Sequence, residues 1–296
     1  MTIPVLRFAP SPNGPLHLGH ALSALTGFET AKRLGGRFLL RIEDIDVTRS
    51  RADFIKGIYA DLVWLGITFE QPVLIQSEHF TDYLAATERL IGDGLLYRCF
   101  ATRSDIATKA DPAKTDPDGV PLYPGIWRHK VGSELQSRIA SGETPSLRLD
   151  MGKALNVTGK RLGGAPLTFK ELADDGTTRT ISADPARWGD ATIVRKDVPA
   201  SYHLAVVVDD ARQGVTHITR GQDLYAATDI QRLLQVLLGF PEPIYAHHRL
   251  IAGPNGRKLS KSLGARSLKS LRDGGVTPAD IRRLVGMESP AANPCE

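Results

Sequence analysis

Cysteine is scarce in this sequence, and long apolar runs and internal repeats are missing from it altogether. Its two cysteines, Cys99 and Cys295, stand far apart in 296 residues, the second close to the chain end. A frayed tail is a poor place for a disulfide, which argues against a disulfide-stapled extracellular scaffold. No stretch reaches the roughly 20 apolar residues that a helix needs to cross a bilayer, and no basic leader with an apolar centre opens the chain. The expectation is a cytoplasmic protein without a membrane partner. A net charge of +4 suits a polyanionic partner without demanding one. At 42% apolar and 24% charged residues, the chain can build a well-packed core, read here as one main domain with an insertion.

What is present begins as a strand-helix-strand unit. Strand signals at Val5 to Phe8 and Phe38 to Ile42 flank a helix from Gly19 to Leu34, which Gly35-Gly36 stops. A helix from Ala52 to Leu65 places Phe54, Ile55, Ile58, Tyr59, Leu62 and Val63 on one side, and another runs from near His79 to Gly94. From Arg98 to about Trp188 the text is loop-rich, with short strand signals at Ser146 to Leu149 and Pro166 to Lys170. Ala191 to Arg195, Leu204 to Val208 and Val215 to Thr219 then read as buried strands, followed by a helix from Ala226 to Leu238. This pattern predicts an α/β protein: a Rossmann-like doubly wound parallel sheet, an inserted α+β subdomain and a small C-terminal helical lobe. The expected divisions are 1–97 with 189–240 for the catalytic domain, 98–188 for the insertion and 241–296 for the lobe.

Two phosphate-handling signatures lie about 240 residues apart, His17-Leu18-Gly19-His20 and Lys258-Leu259-Ser260-Lys261-Ser262. The first stands where a turn, Ala9 to Pro15, becomes a helix, and a helix start attracts anions through unpaired N–H groups. Gly19 lets a flat adenine approach the backbone, and each histidine can donate to phosphoryl oxygens. The second signature follows Gly253-Pro254-Asn255-Gly256 and puts two lysines into a loop suited to a triphosphate. Transfer at phosphorus needs positioning and charge neutralisation more than covalent help. Either motif alone is weak; in this order they describe one ATP site, with His17, His20, Lys258 and Lys261 as its catalytic set.

With Arg7-Phe8-Ala9-Pro10-Ser11-Pro12, Arg41-Ile42-Glu43-Asp44-Ile45-Asp46, Tyr202-His203-Leu204-Ala205 and Thr219-Arg220-Gly221-Gln222-Asp223-Leu224 in the same order, the chain resembles the glutamate branch of the class I aminoacyl-tRNA synthetases. These matches span nearly the whole chain. Since 34 residues follow Ser262, too few for a further domain of ordinary size, the closer resemblance is to the glutamyl-Q tRNA(Asp) synthetase family. That resemblance implies ATP-dependent, tRNA-independent activation of L-glutamate and its transfer to queuosine in the anticodon stem-loop of tRNA(Asp). It implies a glutamate pocket from Arg7, Phe8, Ala9, Pro10, Ser11, Glu43, Tyr202 and Arg220, with Glu43 taking the α-ammonium. ATP falls to His17, Gly19, His20 and Lys261. It also implies an insertion that contacts RNA, and the protein is expected to act as a monomer. The competing readings are a short synthetase charging the acceptor end of tRNA(Glu), a nucleotidyltransferase making a small molecule, and a non-enzymatic RNA-binding paralogue.

Mg²⁺ is expected to arrive with ATP, so no metal ligand is assigned. Asp44 and Asp46 read as helix caps or partners of Arg49 and Arg51. Many members of the family hold zinc in the insertion through a Cys-x-Cys pair and a Tyr-x-x-x-Cys segment. Here those segments read Cys99-Phe100-Ala101 and Tyr123-Pro124-Gly125-Ile126-Trp127, so zinc is expected to be absent, with packing around Trp127 in its place.

Overall fold

The structure, a computed structural model, describes residues 3–173, 175–251 and 266–288. In chain order the first elements are β1 (Val5–Phe8), α1 (Leu18–Arg33), β2 (Arg37–Ile42), α2 (Ala52–Trp64), β3 (Glu70–Ile75), α3 (Phe80–Gly92) and β4 (Leu96–Cys99). Next come α4 (Arg103–Lys109), α5 (Ser133–Ala140), β5 (Ser146–Leu149), α6 (Met151–Arg161), β6 (Thr168–Leu172), β7 (Thr178–Ser182) and β8 (Thr192–Val194). The last are α7 (Tyr202–Arg212), β9 (His217–Gly221), α8 (Ala227–Leu238), β10 (Ile244–His248), α9 (Leu268–Asp273) and α10 (Pro278–Leu284).

Two compact units are formed, one from 1–78, 215–225 and 244–296, the other from 79–214 and 226–243. The expected divisions at 98, 189 and 241 cut the chain elsewhere. In the first unit β1, β2 and β3 are parallel neighbours, as are β9 and β10. The Thr216 amide donates to the Val5 carbonyl at 3.0 Å, joining the start of β9 to β1. Each strand of β1 and β2 is almost wholly buried, the signature of a sheet covered on both faces. Helix α1 covers it with Ala21, Leu22, Ala24, Leu25 and Phe28, and Gly27 makes the close approach possible: a Cβ there would stand 2.9 Å from Thr219 Oγ1 and 3.0 Å from the Phe38 ring. The fold is the Rossmann-like α/β arrangement that the alternating pattern predicts.

Helices α9 and α10 belong to the same unit. Arg272 pairs with the buried Asp61 of α2 at 3.0 Å, and Arg282 with Glu29 of α1 at 2.8 Å. Burial pushes the Asp61 carboxyl up, while Arg272 pulls it back down. The buried face of α2 is therefore Ile58, Asp61 and Leu62; Val63, expected inward, is exposed.

The largest correction falls in the second unit. Leu204 to Val208, expected as a strand, is the body of helix α7, capped by Ser201, whose hydroxyl accepts from the Leu204 amide. Every residue from Leu204 to Asp210 is buried, so the apolar run reflects enclosure on all sides and carries no strand period. Asp209, placed at a strand end by the same reading, is a buried helix residue that accepts from the Tyr83 hydroxyl at 3.0 Å. Strands β3, β4, β7 and β10 and helices α4, α5 and α6 are not among the expected elements. Helix α6 is set by Asp150, whose carboxylate accepts from the Lys153 amide at 3.1 Å.

Candidate active site

At the carboxyl end of β1 the chain turns through Ala9 to Pro15 and is tied to the segment after β2 by backbone bonds, Glu43 to Pro10 at 3.0 Å and Arg51 to Pro12 at 3.2 Å. The turn thus runs beside Glu43. Phe8 and Pro10 are buried, Ala9 is half-buried and Ser11 is exposed. Arg7, in β1, is buried and donates a long 3.5 Å bond to the Thr219 carbonyl of β9. Arg220, the next residue of β9, is buried too; its Nε donates to His247 Nε2 at 3.3 Å, and its guanidinium lies 5.0 Å from the centre of the Tyr245 ring. Two arginines held at strand ends and a nearby carboxylate are what a substrate with two carboxylates and an ammonium requires.

Glu43 has a partner of its own. Arg41 is fully buried, and its Nη2 donates to Glu43 Oε1 at 3.0 Å. Arg41 lies in β2 and Glu43 just after the strand ends at Ile42, so the pair is local to the strand end. A carboxylate has acceptor sites beyond one ion pair, and Arg41 orients Glu43. Asp44 and Asp46 do structural work: Asp44 accepts from the Ser77 amide and hydroxyl at 2.8 and 2.6 Å, and Asp46 accepts from Thr48 and pairs with Arg49 at 3.3 Å.

The histidine motif builds its own geometry. His17 is the N-cap of α1, its Nδ1 accepting from the Gly19 amide at 3.1 Å, while His20 Nδ1 accepts from the His17 amide at 3.2 Å. An imidazole that accepts at Nδ1 carries its proton on Nε2 when neutral. Both rings, 3.9 Å apart, are thereby set as Nε2–H donors at a helix N-terminus. Gly19 is needed for this, since a Cβ would stand 3.0 Å from His17 Cε1. Directly beside the motif, Ser267 bridges to His17, and the Leu268 amide donates to the Leu16 carbonyl at 2.8 Å. Lys258 and Lys261 lie outside the described residues. Tyr202, the first residue of α7, belongs to the second unit, whereas Arg7, His17, His20, Glu43 and Arg220 share the first.

Sequence reasoning overlooked His247 and His248, two adjacent histidines at the end of β10 with no motif around them. Burial, helped by the Arg220 charge, pushes His247 down to about 3, so it is neutral at physiological pH and accepts from Arg220. His248 and His217 are also pushed down by burial. His248 Nε2 lies 2.7 Å from the Ser23 hydroxyl of α1. For such bases the unfolded chain takes up more protons as pH falls below about 6.5, and for His247 folding stability declines between about 6.5 and 3, by up to ~1.4 kcal/mol per pH unit. Urea unfolding at pH 7 and pH 5 is expected to show this loss, and His247→Gln to reduce it.

In the second unit the zinc-site segments form an apolar cluster of Cys99, Phe100, Tyr123 and Trp127. The Phe100 and Trp127 rings are 5.1 Å apart; Tyr123 accepts from the Trp127 amide at 2.8 Å and lies 3.4 Å from Cys99 Sγ. One thiol engaged with a phenol, with alanine and tryptophan at the other two positions, does not fit a tetrahedral zinc site. No group of three metal-ligating side chains occurs among the described residues.

The family model for the catalytic domain of class I tRNA synthetases (E and Q) matches residues 5–290. The chain belongs to this family. As a class I synthetase it is a ligase, and its histidine motif and strand-end arginines fall within the matched span. It is 45% identical over 288 residues to a protein of Rhodobacter capsulatus named glutamyl-Q tRNA(Asp) synthetase, covering 96% of this chain and all of the relative. A glutamate–tRNA ligase of Nitrobacter winogradskyi is 37% identical over 96% of this chain, which spans 56% of that relative. Among solved structures, a glutamate–tRNA synthetase from Elizabethkingia anophelis superposes with a TM-score of 0.77 at 25% identity, over 99% of this chain and 63% of its own. No helix among the described residues is long and apolar enough to cross a membrane.

Proposed function

We propose that this ligase activates L-glutamate with ATP, without RNA, and transfers it to the queuosine base in the anticodon of tRNA(Asp). The observation that carries the activation step is the union, in one compact unit, of Arg7, Arg220 and the Arg41-held Glu43 with two histidines set as Nε2–H donors. The relative matched over its full length supports the choice of RNA. The arginines take the substrate carboxylates and Glu43 the ammonium, with the Phe8 to Ser11 turn beside them. The glutamate α-carboxylate, ionised at neutral pH, forms a bond to the α-phosphorus as the bond to the β-phosphate oxygen breaks and pyrophosphate leaves. His17, His20 and Lys261 stabilise the negative charge on the phosphoryl oxygens, with Lys258 farther out and Mg²⁺ carried by the nucleotide. In the second step a hydroxyl of the RNA attacks the adenylate carbonyl, AMP leaves, and its phosphate accepts the proton. The insertion, 98–188, contacts the RNA.

Glutamate-dependent exchange of pyrophosphate into ATP, measured with RNA rigorously removed, tests the first half; label transfer to queuosine-containing against queuosine-free tRNA(Asp) tests the second. Label at the 3′ end of tRNA(Glu) would favour the competing synthetase reading. Zinc is not part of this proposal. Metal analysis of the purified protein is expected to find far less than one zinc per chain, and a chelator to leave its thermal midpoint unchanged; stoichiometric zinc would refute this.

A further inference from the structure

The second unit contains a cavity of about 370 Å³ that neither step of the proposed reaction uses. It is formed by β4, β5, the start of α6 and the turn around Trp127. Leu96, Leu147 and Trp127 make one apolar wall, and Arg98, Lys130 and Lys153 line the rest with His129 and Asp150. Arg98 stands opposite Leu147 in the antiparallel β4–β5 register, which puts the cation beside the leucine on the same sheet face.

The walls are held from behind. Asp190, almost fully buried, accepts from the Tyr97 hydroxyl at 2.6 Å, from Arg128 Nε at 2.5 Å and from the Met151 amide at 3.1 Å. One carboxylate thus ties β4, the Trp127 turn and the first residue of α6 together. His129 is the one non-glycine residue with positive φ among the described residues, at 58°, and this puts its Nε2 3.9 Å from Asp150 Oδ2. Backbone in that region is retained where a side chain must be aimed.

The rim carries three cations against two carboxylates, because Lys130 also pairs with Glu134 at 2.7 Å and Lys153 with Asp150 at 3.6 Å. An apolar wall flanked by arginine and lysines suits a flat base joined to a phosphate, and a carboxylate at the rim suits an exocyclic amine. The volume lies at the lower end of the range for small-ligand sites, about 300–1,000 Å³, and holds one nucleotide.

We propose that this cavity takes one nucleotide of the RNA substrate, its base against Leu96, Leu147 and Trp127 and its phosphate at Arg98, Lys130 and Lys153. The inference rests on the RNA-transfer half of the proposed function. The test is tRNA(Asp) binding by the full chain across a salt series, combined with ultraviolet crosslinking and peptide mass spectrometry. Lys130→Gln with Lys153→Gln is expected to weaken binding about tenfold near 0.1 M salt and to lower the salt slope by about 1 to 2, with RNA-free pyrophosphate exchange unchanged. His129→Gly is expected to raise or preserve thermal stability while weakening RNA binding several-fold. Crosslinks should fall in peptides carrying residues 91–98, 127–135 or 147–153. An unchanged salt slope with crosslinks confined to other peptides overturns the cavity assignment alone. Failure of the unaltered protein to bind the RNA at all overturns the transfer reading on which it rests.

Discussion

His17→Asn and His20→Asn are each expected to lower the rate of glutamate-dependent pyrophosphate exchange by about 10²–10³, with little change in the glutamate KM, because in the proposed reaction each removes a preorganised donor aimed at charge that develops at phosphorus. The asparagine variants are the informative ones. His17 caps α1 through Nδ1, and asparagine is among the best N-cap residues, so His17→Asn keeps the helix start and removes the Nε2–H donor. His17→Ala loses both and is expected to cost about 1 kcal/mol of stability in addition. Steady-state exchange kinetics with urea unfolding of the same preparations separates the two effects. An unchanged rate for His17→Asn, with stability lost only in His17→Ala, would show that the motif only caps a helix.

Glu43→Gln has a double consequence. It withdraws the charged partner of the fully buried Arg41, and breaking a buried pair from one side costs about 3 kcal/mol or more. It also removes the proposed acceptor for the substrate ammonium, so the glutamate KM is expected to rise. Replacing both members, Arg41→Met with Glu43→Leu, restores most of the stability, since an apolar pair needs no desolvation to be offset. It does not restore the KM. If the double replacement recovered glutamate affinity, Glu43 would be a structural ion-pair member and the pocket would need another acid.

The elements that sequence reveals best here are those with one covered face or a clear stop. Helix α1 ends before Gly35, whose φ is +60°, and β1 is enclosed from Val5 to Phe8, as the apolar run between turn residues indicates. Helix α7 misleads for the opposite reason: Val206, Val207 and Val208 favour strand locally, but burial on every side and the Ser201 cap decide for helix. The site is legible to the extent that its chemistry lies in contiguous motifs. His17 and His20 sit side by side on one helix start, and Arg7 and Arg220 stand in β1 and β9. Partners brought in from distant segments are not legible: His247 behind Arg220 is 27 residues away, and Ser23 meets His248 across 225. Arg41 is the exception, a partner only two residues before Glu43, where β2 ends.

The account stands most directly on glutamate-dependent pyrophosphate exchange in preparations freed of RNA, followed by transfer of labelled glutamate to tRNA(Asp) with and without queuosine. It predicts exchange in the absence of RNA and label on the queuosine-containing form alone. Exchange that requires RNA, with label at the 3′ end of tRNA(Glu), would contradict it.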